Sequence, residues 1–344
     1  MMYPERCIVR DVRVLTEQFI PSRVLHREGQ LYAIRDDLKP LLEGGAPRHV
    51  FIHGKPGTGK TCISRYVAGE LESYSSSIVQ SYNNCWETPS RFRILYNILK
   101  GVSGSPMIHR KGTPTDEILD MTQRSLKEKQ CVVILDEVDK LEDERVLYDL
   151  VTMGNVFIMM IANSSTALYD VDARIRSRLM SADNIEFPSY KRQEIVDILK
   201  DRAEWGLFPG VIKNAQIERI ADGTKGDCRA AIDILRVCAE EAERKGENSI
   251  TDGMISGALP RAEFFEKQKS MGGLNDHQKL MLEIVNEKKD MDSGELFSML
   301  LEASEKRGLE KIVDRTFRNY ADKLVRYSFI KSSGTGRWRK FSSA

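Results

Sequence analysis

Residues 49–61 read HVFIHGKPGTGKT. His49–His53 is a short apolar run of strand type that stops at a glycine. Gly54, Lys55, Pro56, Gly57, Thr58, Gly59, Lys60 and Thr61 then complete the pattern G-x-x-x-x-G-K-[ST]. The glycines let the backbone turn tightly, so that amide N–H groups point inward at phosphate oxygens. A helix opening directly after them adds the positive end of its dipole. Lys60 is placed to reach the β- and γ-phosphates of ATP, and the Thr61 hydroxyl to ligate Mg²⁺. Strand, loop and helix in this order predict a parallel α/β fold with nucleotide at the C-terminal edge of the strands.

Working outward, Ser77–Ser81, Cys131–Leu135, Val156–Ala162 and Asn184–Phe187 are further strand candidates, with helical patterns at Thr61–Tyr74 and Thr115–Lys127 between them. Their unbroken apolar character suits strands buried on both faces of a sheet. CVVILDE places Asp136 and Glu137 at a strand end. Alone, such a pair is usually a solvated turn; downstream of a phosphate loop, Asp136 suits a magnesium water and Glu137 suits a general base on the attacking water. Asn163 ends the strand VFIMMIA, where its amide can orient that water or touch the γ-phosphate. Arg229 opens the helix of GDCRAAIDIL, from which it can reach back to the γ-phosphate. Arg178, in RIRSRL, is a candidate arginine finger acting in trans on a neighbour's nucleotide, with a surface ion pair as the alternative.

A chain of 344 residues has room for two or three domains. Net charge is only +1, so no global basic field marks a nucleic-acid partner. The six cysteines, Cys7, Cys62, Cys85, Cys131, Cys228 and Cys238, show no zinc spacing and are expected as reduced thiols of a cytoplasmic protein. The N-terminal residues do not read as a signal peptide, and no run approaches the ~18 apolar residues that cross a bilayer, so no membrane role is expected. Beyond Pro188 the pattern is helical at Lys191–Trp205, Ile212–Ala221, Asp227–Lys245 and Thr251–Phe265, which predicts a small bundle. Lys267–Asp276 reads as a linker.

Charge is concentrated at the end. From Ile312 to Ala344 there are eight basic residues, Arg315, Arg318, Lys323, Arg326, Lys331, Arg337, Arg339 and Lys340, against Asp314 and Asp322, a net +6. Arg315, Arg318 and Asp322 fall on one helical face, and Phe317, Ala321, Leu324 and Val325 on the other. A glycine turn at Gly334–Gly336 and RWRKF predict a terminal hairpin carrying Arg337 and Arg339. Helix and hairpin together point to a recognition helix in the major groove and a wing on phosphates. A solvated basic tail is the plain alternative. Ser90, Arg91 and Arg93 offer a second, weaker DNA contact.

Phosphate loop, LDE, strand-end Asn, SRL and GD-x-R together resemble the AAA+ ATPases, and finer features resemble the archaeal origin-recognition replication initiators. FIPSRVLHRE (Phe19–Glu28) is similar to that family's N-terminal box near the adenine, SYNNCWETPSRFRILYNILKG (Ser81–Gly101) to its initiator-specific insertion, and DARIRSRL (Asp172–Leu179) and FPSYKRQEIVDILKDRAE (Phe187–Glu204) also resemble it. The resemblance implies an AAA+ parallel five-stranded sheet with a helical lid and a C-terminal winged helix. It implies an ATP/ADP site that includes Val24, Leu25, Tyr190 and Arg202, with Mg²⁺. It implies base, lid and winged-helix domains over 1–188, 189–266 and 274–344. It implies recognition of origin double-stranded DNA, other initiator copies on DNA, and recruitment of an MCM-type helicase, with slow hydrolysis, in the nucleoid. The rivals are a clamp-loader subunit, which should end in a helical collar, and a stand-alone P-loop kinase or NTPase.

Overall fold

The computed structural model describes residues 8–45, 47–74, 78–104, 112–127, 129–169, 171–259, 274–326, 329–334 and 339–343. The chain divides into two compact units, Met1–Ala262 and Glu263–Ala344.

In the first unit, β1 (Val50–His53), β2 (Ile78–Asn84), β3 (Gln130–Asp136), β4 (Val156–Ala162) and β5 (Asp183–Glu186) form one sheet in the order β2-β3-β4-β1-β5. Every pairing is parallel. Alternation along β3 and β4 sorts their side chains onto two cores. Cys131, Val133, Leu135, Ile158 and Met160 face one core with α3 (Arg91–Ser103), α4 (Thr115–Ser125), α5 (Arg145–Val151) and α6 (Ala173–Leu179). Val132, Ile134, Phe157, Met159 and Ile161 face the other with α1 (Glu28–Leu42) and α2 (Lys60–Tyr74). The two edge strands, β2 and β5, depart from the expectation of full burial: in β5 only Ile185 is buried, and β2 alternates buried with more open positions. The buried sheet fixes where β1, β3 and β4 end, and the functional residues stand at those ends.

A third core belongs to α7 (Arg192–Gly206), α8 (Asn214–Gly223), α9 (Cys228–Lys245) and a helix over 252–259, here α10. Ile8, Leu15 and Tyr190 join it, so the N-terminal segment packs on this bundle. The continuation of α10 expected to Phe265 and most of the expected linker lie outside the described residues.

The second unit runs α11 (Asp276–Lys288), β6 (Asp290–Asp292), α12 (Ser293–Lys306), α13 (Asp314–Arg326), β7 (Ile330–Ser333) and β8 (Lys340–Ser343). Its antiparallel sheet has the order β6-β8-β7. Phe317, Ala321 and Leu324 of α13 are buried with Ile330 and Phe341, and Phe317 meets Phe297 at 4.8 Å between ring centroids. The expected hairpin is present as β7–β8, and β6 adds a third strand that the sequence pattern did not mark.

Candidate functional site

The loop between β1 and α2 is shaped by its glycines and by what lies against them. Gly57 has φ +72, and a Cβ there would stand 1.9 Å from Asp227 Oδ1. Gly59 has φ +93, and its Cβ would stand 2.7 Å from the Tyr190 hydroxyl. These backbones need both the left-handed region and the missing side chain. Cys228 N–H donates to the Gly57 carbonyl at 3.2 Å, so the start of α9 touches the phosphate loop directly. The Thr58 hydroxyl donates to Lys55 O at 2.8 Å and closes the turn from inside.

Lys60 opens α2 and is buried. Its ammonium donates to Gly54 O at 2.6 Å, Lys55 O at 2.8 Å and Asn163 Oδ1 at 3.1 Å. Burial pulls its pKa down to about 8; Asp136 works against that shift and the Arg229 guanidinium adds to it. A cation held at this cost in solvation gains strongly from an anionic phosphate. Asn163 stands just past β4, beside the β1 end, because Ala162 pairs with His53.

Asp136 ends β3 and is buried. Its Oδ2 accepts from Thr61 Oγ1 at 2.7 Å and from the Tyr82 hydroxyl at 2.9 Å, and its Oδ1 accepts from Glu137 N–H at 3.0 Å. A hydroxyl and a carboxylate meeting beside the buried ammonium form an oxygen donor set that suits a hard cation. Glu137 follows with φ 55 and ψ 48, a left-handed conformation that costs a non-glycine residue about 1–2 kcal/mol. Strain of this kind concentrates where a side chain must be aimed. Burial first, then Asp136 and Asp139, push its carboxyl pKa upward, as suits a general base. Arg229 is half-buried, and its charge reaches both Lys60 and Glu137.

Of the residues expected near the adenine, Val24 packs in the core of α1 and α2, whereas Leu25 packs on the α7–α10 core with Tyr190. The pair therefore bridges sheet and bundle. Arg202, expected in the nucleotide site, faces the N-terminal segment in the structure. It is buried, it donates to Val14 O at 3.2 Å and Phe19 O at 3.5 Å, and it stacks 4.6 Å from the Phe19 ring centroid. Its donors go to main-chain carbonyls, so it anchors the N-terminal segment against α7. Arg27 was not singled out by the sequence, although it lies within the box quoted above. It is 3% exposed and donates to Thr58 O at 3.1 Å, Pro188 O at 2.6 Å and His26 O at 2.8 Å. Its guanidinium lies 3.7 Å from the Tyr190 ring centroid, a close cation–π contact.

Arg178 sits on exposed α6 surface, 5.0 Å from the Tyr148 ring centroid, with Met180 exposed next to it. It carries no salt bridge among the described residues, so the expected surface ion pair is not what holds it.

Comparisons with known proteins show the family. An AAA domain model matches residues 44–168, and a Cdc6 AAA+ ATPase-type lid domain model matches residues 196–259. ORC1-type DNA replication protein 9 of Halobacterium salinarum is 35% identical, across 97% of this chain and 94% of its own length. ORC1-type DNA replication protein 1 of the same organism is 36% identical, across 84% and 94%. The chain belongs to the archaeal ORC1-type family of DNA replication initiators. It is a P-loop ATPase of the AAA+ class. Among solved structures, the Aeropyrum pernix ORC1 protein in complex with DNA matches with a TM-score of 0.79 and 27% identity, over 98% of this chain and 94% of that one. Cdc6p from Pyrobaculum aerophilum shares the fold at a TM-score of 0.68.

Within this ORC1-type chain the basic residues expected at DNA are placed unequally. Arg91 departs from the expectation. Its side chain is 11% exposed and is held by Asp149 at 2.6 Å and Asp116 at 2.8 Å, so it is neutralised and ties α3 to α4 and α5. Ser90 is consumed as the cap of α3, whereas Arg93 is exposed. On α13, Arg315 and Arg318 are exposed and Lys323 is half-buried; Arg318 pairs with Asp314 at 2.7 Å. Arg339 departs from a freely presented wing residue: it is bonded to Asp322 of α13 and stacks 5.0 Å from the Phe341 ring centroid. Arg337 and the hairpin turn lie outside the described residues. No helix among the described residues is long and apolar enough to cross a membrane.

Proposed function

We propose that this ORC1-type chain binds origin double-stranded DNA through residues 274–344 and uses its ATP state to recruit or load an MCM-type replicative helicase, with slow hydrolysis as the switch. Residues 1–188 serve as the nucleotide-binding base and 189–266 as the lid. Thr61 and Asp136 hold Mg²⁺ beside the phosphates, Lys60 and Asn163 contact the γ-phosphate, Glu137 activates water and Arg229 senses the bound state. Arg178 acts on the nucleotide of another initiator copy on DNA.

The observation that carries the DNA assignment is α13. One side is buried through Phe317, Ala321 and Leu324, and the other presents Arg315 and Arg318 to solvent. A helix followed by an antiparallel pair, in the order of the second unit, is the arrangement of a winged helix, with α13 as reader and β7–β8 as wing. Asp322 would then set the wing by holding Arg339. The A. pernix relative, solved in complex with DNA, supports the same assignment. A clamp-loader role is disfavoured because the second unit carries a three-stranded sheet rather than a purely helical collar.

Footprinting of genomic fragments with the full chain, followed by duplex affinities at several salt concentrations, tests the proposal. Loss of a base contact in Arg318→Ala should narrow the gap between specific and random DNA by about 1–3 kcal/mol. If the double variant Arg315→Ala/Arg318→Ala keeps wild-type affinity and specificity, the second unit is not the reader.

A further inference from the structure

We propose that Tyr82 is a positioning residue for the metal-binding carboxylate: its hydroxyl sets the Asp136 side chain for Mg²⁺, an inference that rests on the Mg·ATP site proposed above. Tyr82 lies on β2, which pairs with β3 along its whole length and brings Asn84 opposite Asp136. Residues i and i+2 share a face of a strand, so the Tyr82 ring lies on the side of Asn84, two positions short of the carboxylate. The long phenol closes that gap, and its oxygen reaches Asp136 Oδ2 at 2.9 Å.

The bonds to Asp136 are not equivalent. Glu137 N–H at 3.0 Å belongs to the next residue and fixes Oδ1 locally. Thr61 Oγ1 at 2.7 Å belongs to α2 and therefore moves with the phosphate loop. Tyr82 donates from the neighbouring strand, so it holds Oδ2 relative to the sheet whatever the loop does. A metal-ligating carboxylate is ordinarily oriented by such outer partners, and losing one typically weakens metal binding by about 10–100-fold. The ring itself has a separate anchor, because the Arg65 guanidinium on α2 lies 5.2 Å from its centroid. Removing the hydroxyl alone therefore leaves the ring's packing in place.

The test is the Mg²⁺ dependence of binding of a fluorescent ADP analogue to the full chain, followed by anisotropy. In the wild type, affinity should rise from its value in EDTA to a plateau as Mg²⁺ is added. Tyr82→Phe should need about tenfold more Mg²⁺ to reach half of that gain. Its affinity in EDTA should match the wild type, and its thermal midpoint should fall only by what one lost hydrogen bond to a carboxylate costs. Tyr82→Ala should show the Mg²⁺ shift too, now with a loss of thermal midpoint from the missing ring. A Tyr82→Phe protein with the wild-type Mg²⁺ midpoint overturns the proposal. So does a Tyr82→Phe protein that loses the same affinity in EDTA as in Mg²⁺, because the hydroxyl would then serve the loop and not the metal. A wild type whose binding ignores Mg²⁺ is a different result: it removes the magnesium site itself.

Discussion

Gly57→Ala should separate the phosphate loop from the lid helices. The residue has φ +72, which costs an L side chain about 1–2 kcal/mol. The new methyl would stand 1.9 Å from Asp227 Oδ1 and 2.3 Å from its Cγ, where ordinary contact begins near 3.5 Å. Loop or lid must therefore retreat by about 1.5 Å. If Asp227 moves, α9 loses the cap that Asp227 Oδ1 provides to Ala230 N–H at 3.0 Å, worth about 0.5–2 kcal/mol. Without nucleotide the loop can relax and avoid most of this strain. If nucleotide needs the loop in the geometry seen here, the whole cost, about 1.5–4 kcal/mol, falls on binding and amounts to about 10- to 1000-fold in affinity. Fluorescent ATP binding measures it. Adding Asp227→Gly removes the carboxylate and costs the cap only a few tenths of a kcal/mol, so the double variant should regain about tenfold. The reasoning is refuted if Gly57→Ala binds ATP within threefold of wild type, or if Asp227→Gly restores nothing.

Glu137→Gln should keep ATP affinity and cut single-turnover hydrolysis by about 10²-fold or more. In the wild type, hydrolysis should fade on acidification at a pH above the usual carboxylate range, because burial raises that carboxyl. Asp37 is a separate, structural case: burial, then Asp183, raise its pKa to about 6 against the opposing charge of Arg48, and Asp36 adds a smaller push upward. Its folded pKa lies above the unfolded value of about 3.9, so its charge opposes folding fully above pH ~6, and stability rises as pH falls from ~6 to ~4. Asp37→Asn should therefore raise the chemical-denaturation stability at pH 7.5 by about 1–2 kcal/mol and flatten that slope relative to wild type. Arg91→Ala strands the buried Asp149 carboxylate and should cost about 2–4 kcal/mol in urea unfolding, while duplex affinity at a permissive temperature stays at the wild-type value.

Much of the nucleotide site was legible because its chemistry is local in sequence. Gly54–Thr61 is one continuous stretch, and the strand expected at Val156–Ala162 is β4 to the residue, since an apolar run of that length has little choice beneath two helical layers. What stayed hidden depends on partners far along the chain. Tyr82 is 54 positions from Asp136, and Arg27 is 31 positions from the carbonyl it binds on the phosphate loop. Arg91 looked like a surface base because its partner Asp149 is 58 positions away. Arg202, which the resemblance placed in the nucleotide site, likewise has its donors on main-chain carbonyls far along the chain, those of Val14 and Phe19. In each case sequence supplied the residue type, and the fold supplied the partner that decides its role.

One of these long-range contacts, that of Arg27, lies at the seam between the sheet and the α7–α10 bundle. Arg27 binds the loop at Thr58 and the entry to the bundle at Pro188 with one rigid guanidinium. Asp227 lies close against Gly57, and the Cys228 N–H donates to the Gly57 carbonyl. Arg229 follows directly and extends its field to Lys60 and Glu137. A phosphate in the cradle would draw on the loop's N–H groups and on the Lys60 ammonium, which bonds to the loop carbonyls of Gly54 and Lys55. The phosphate loop meets α9 through a main-chain contact with no side chain in between, the Cys228 N–H on the Gly57 carbonyl. Main-chain geometry at Gly57 would then couple nucleotide state to lid position, and this is why a single methyl group there should act on both.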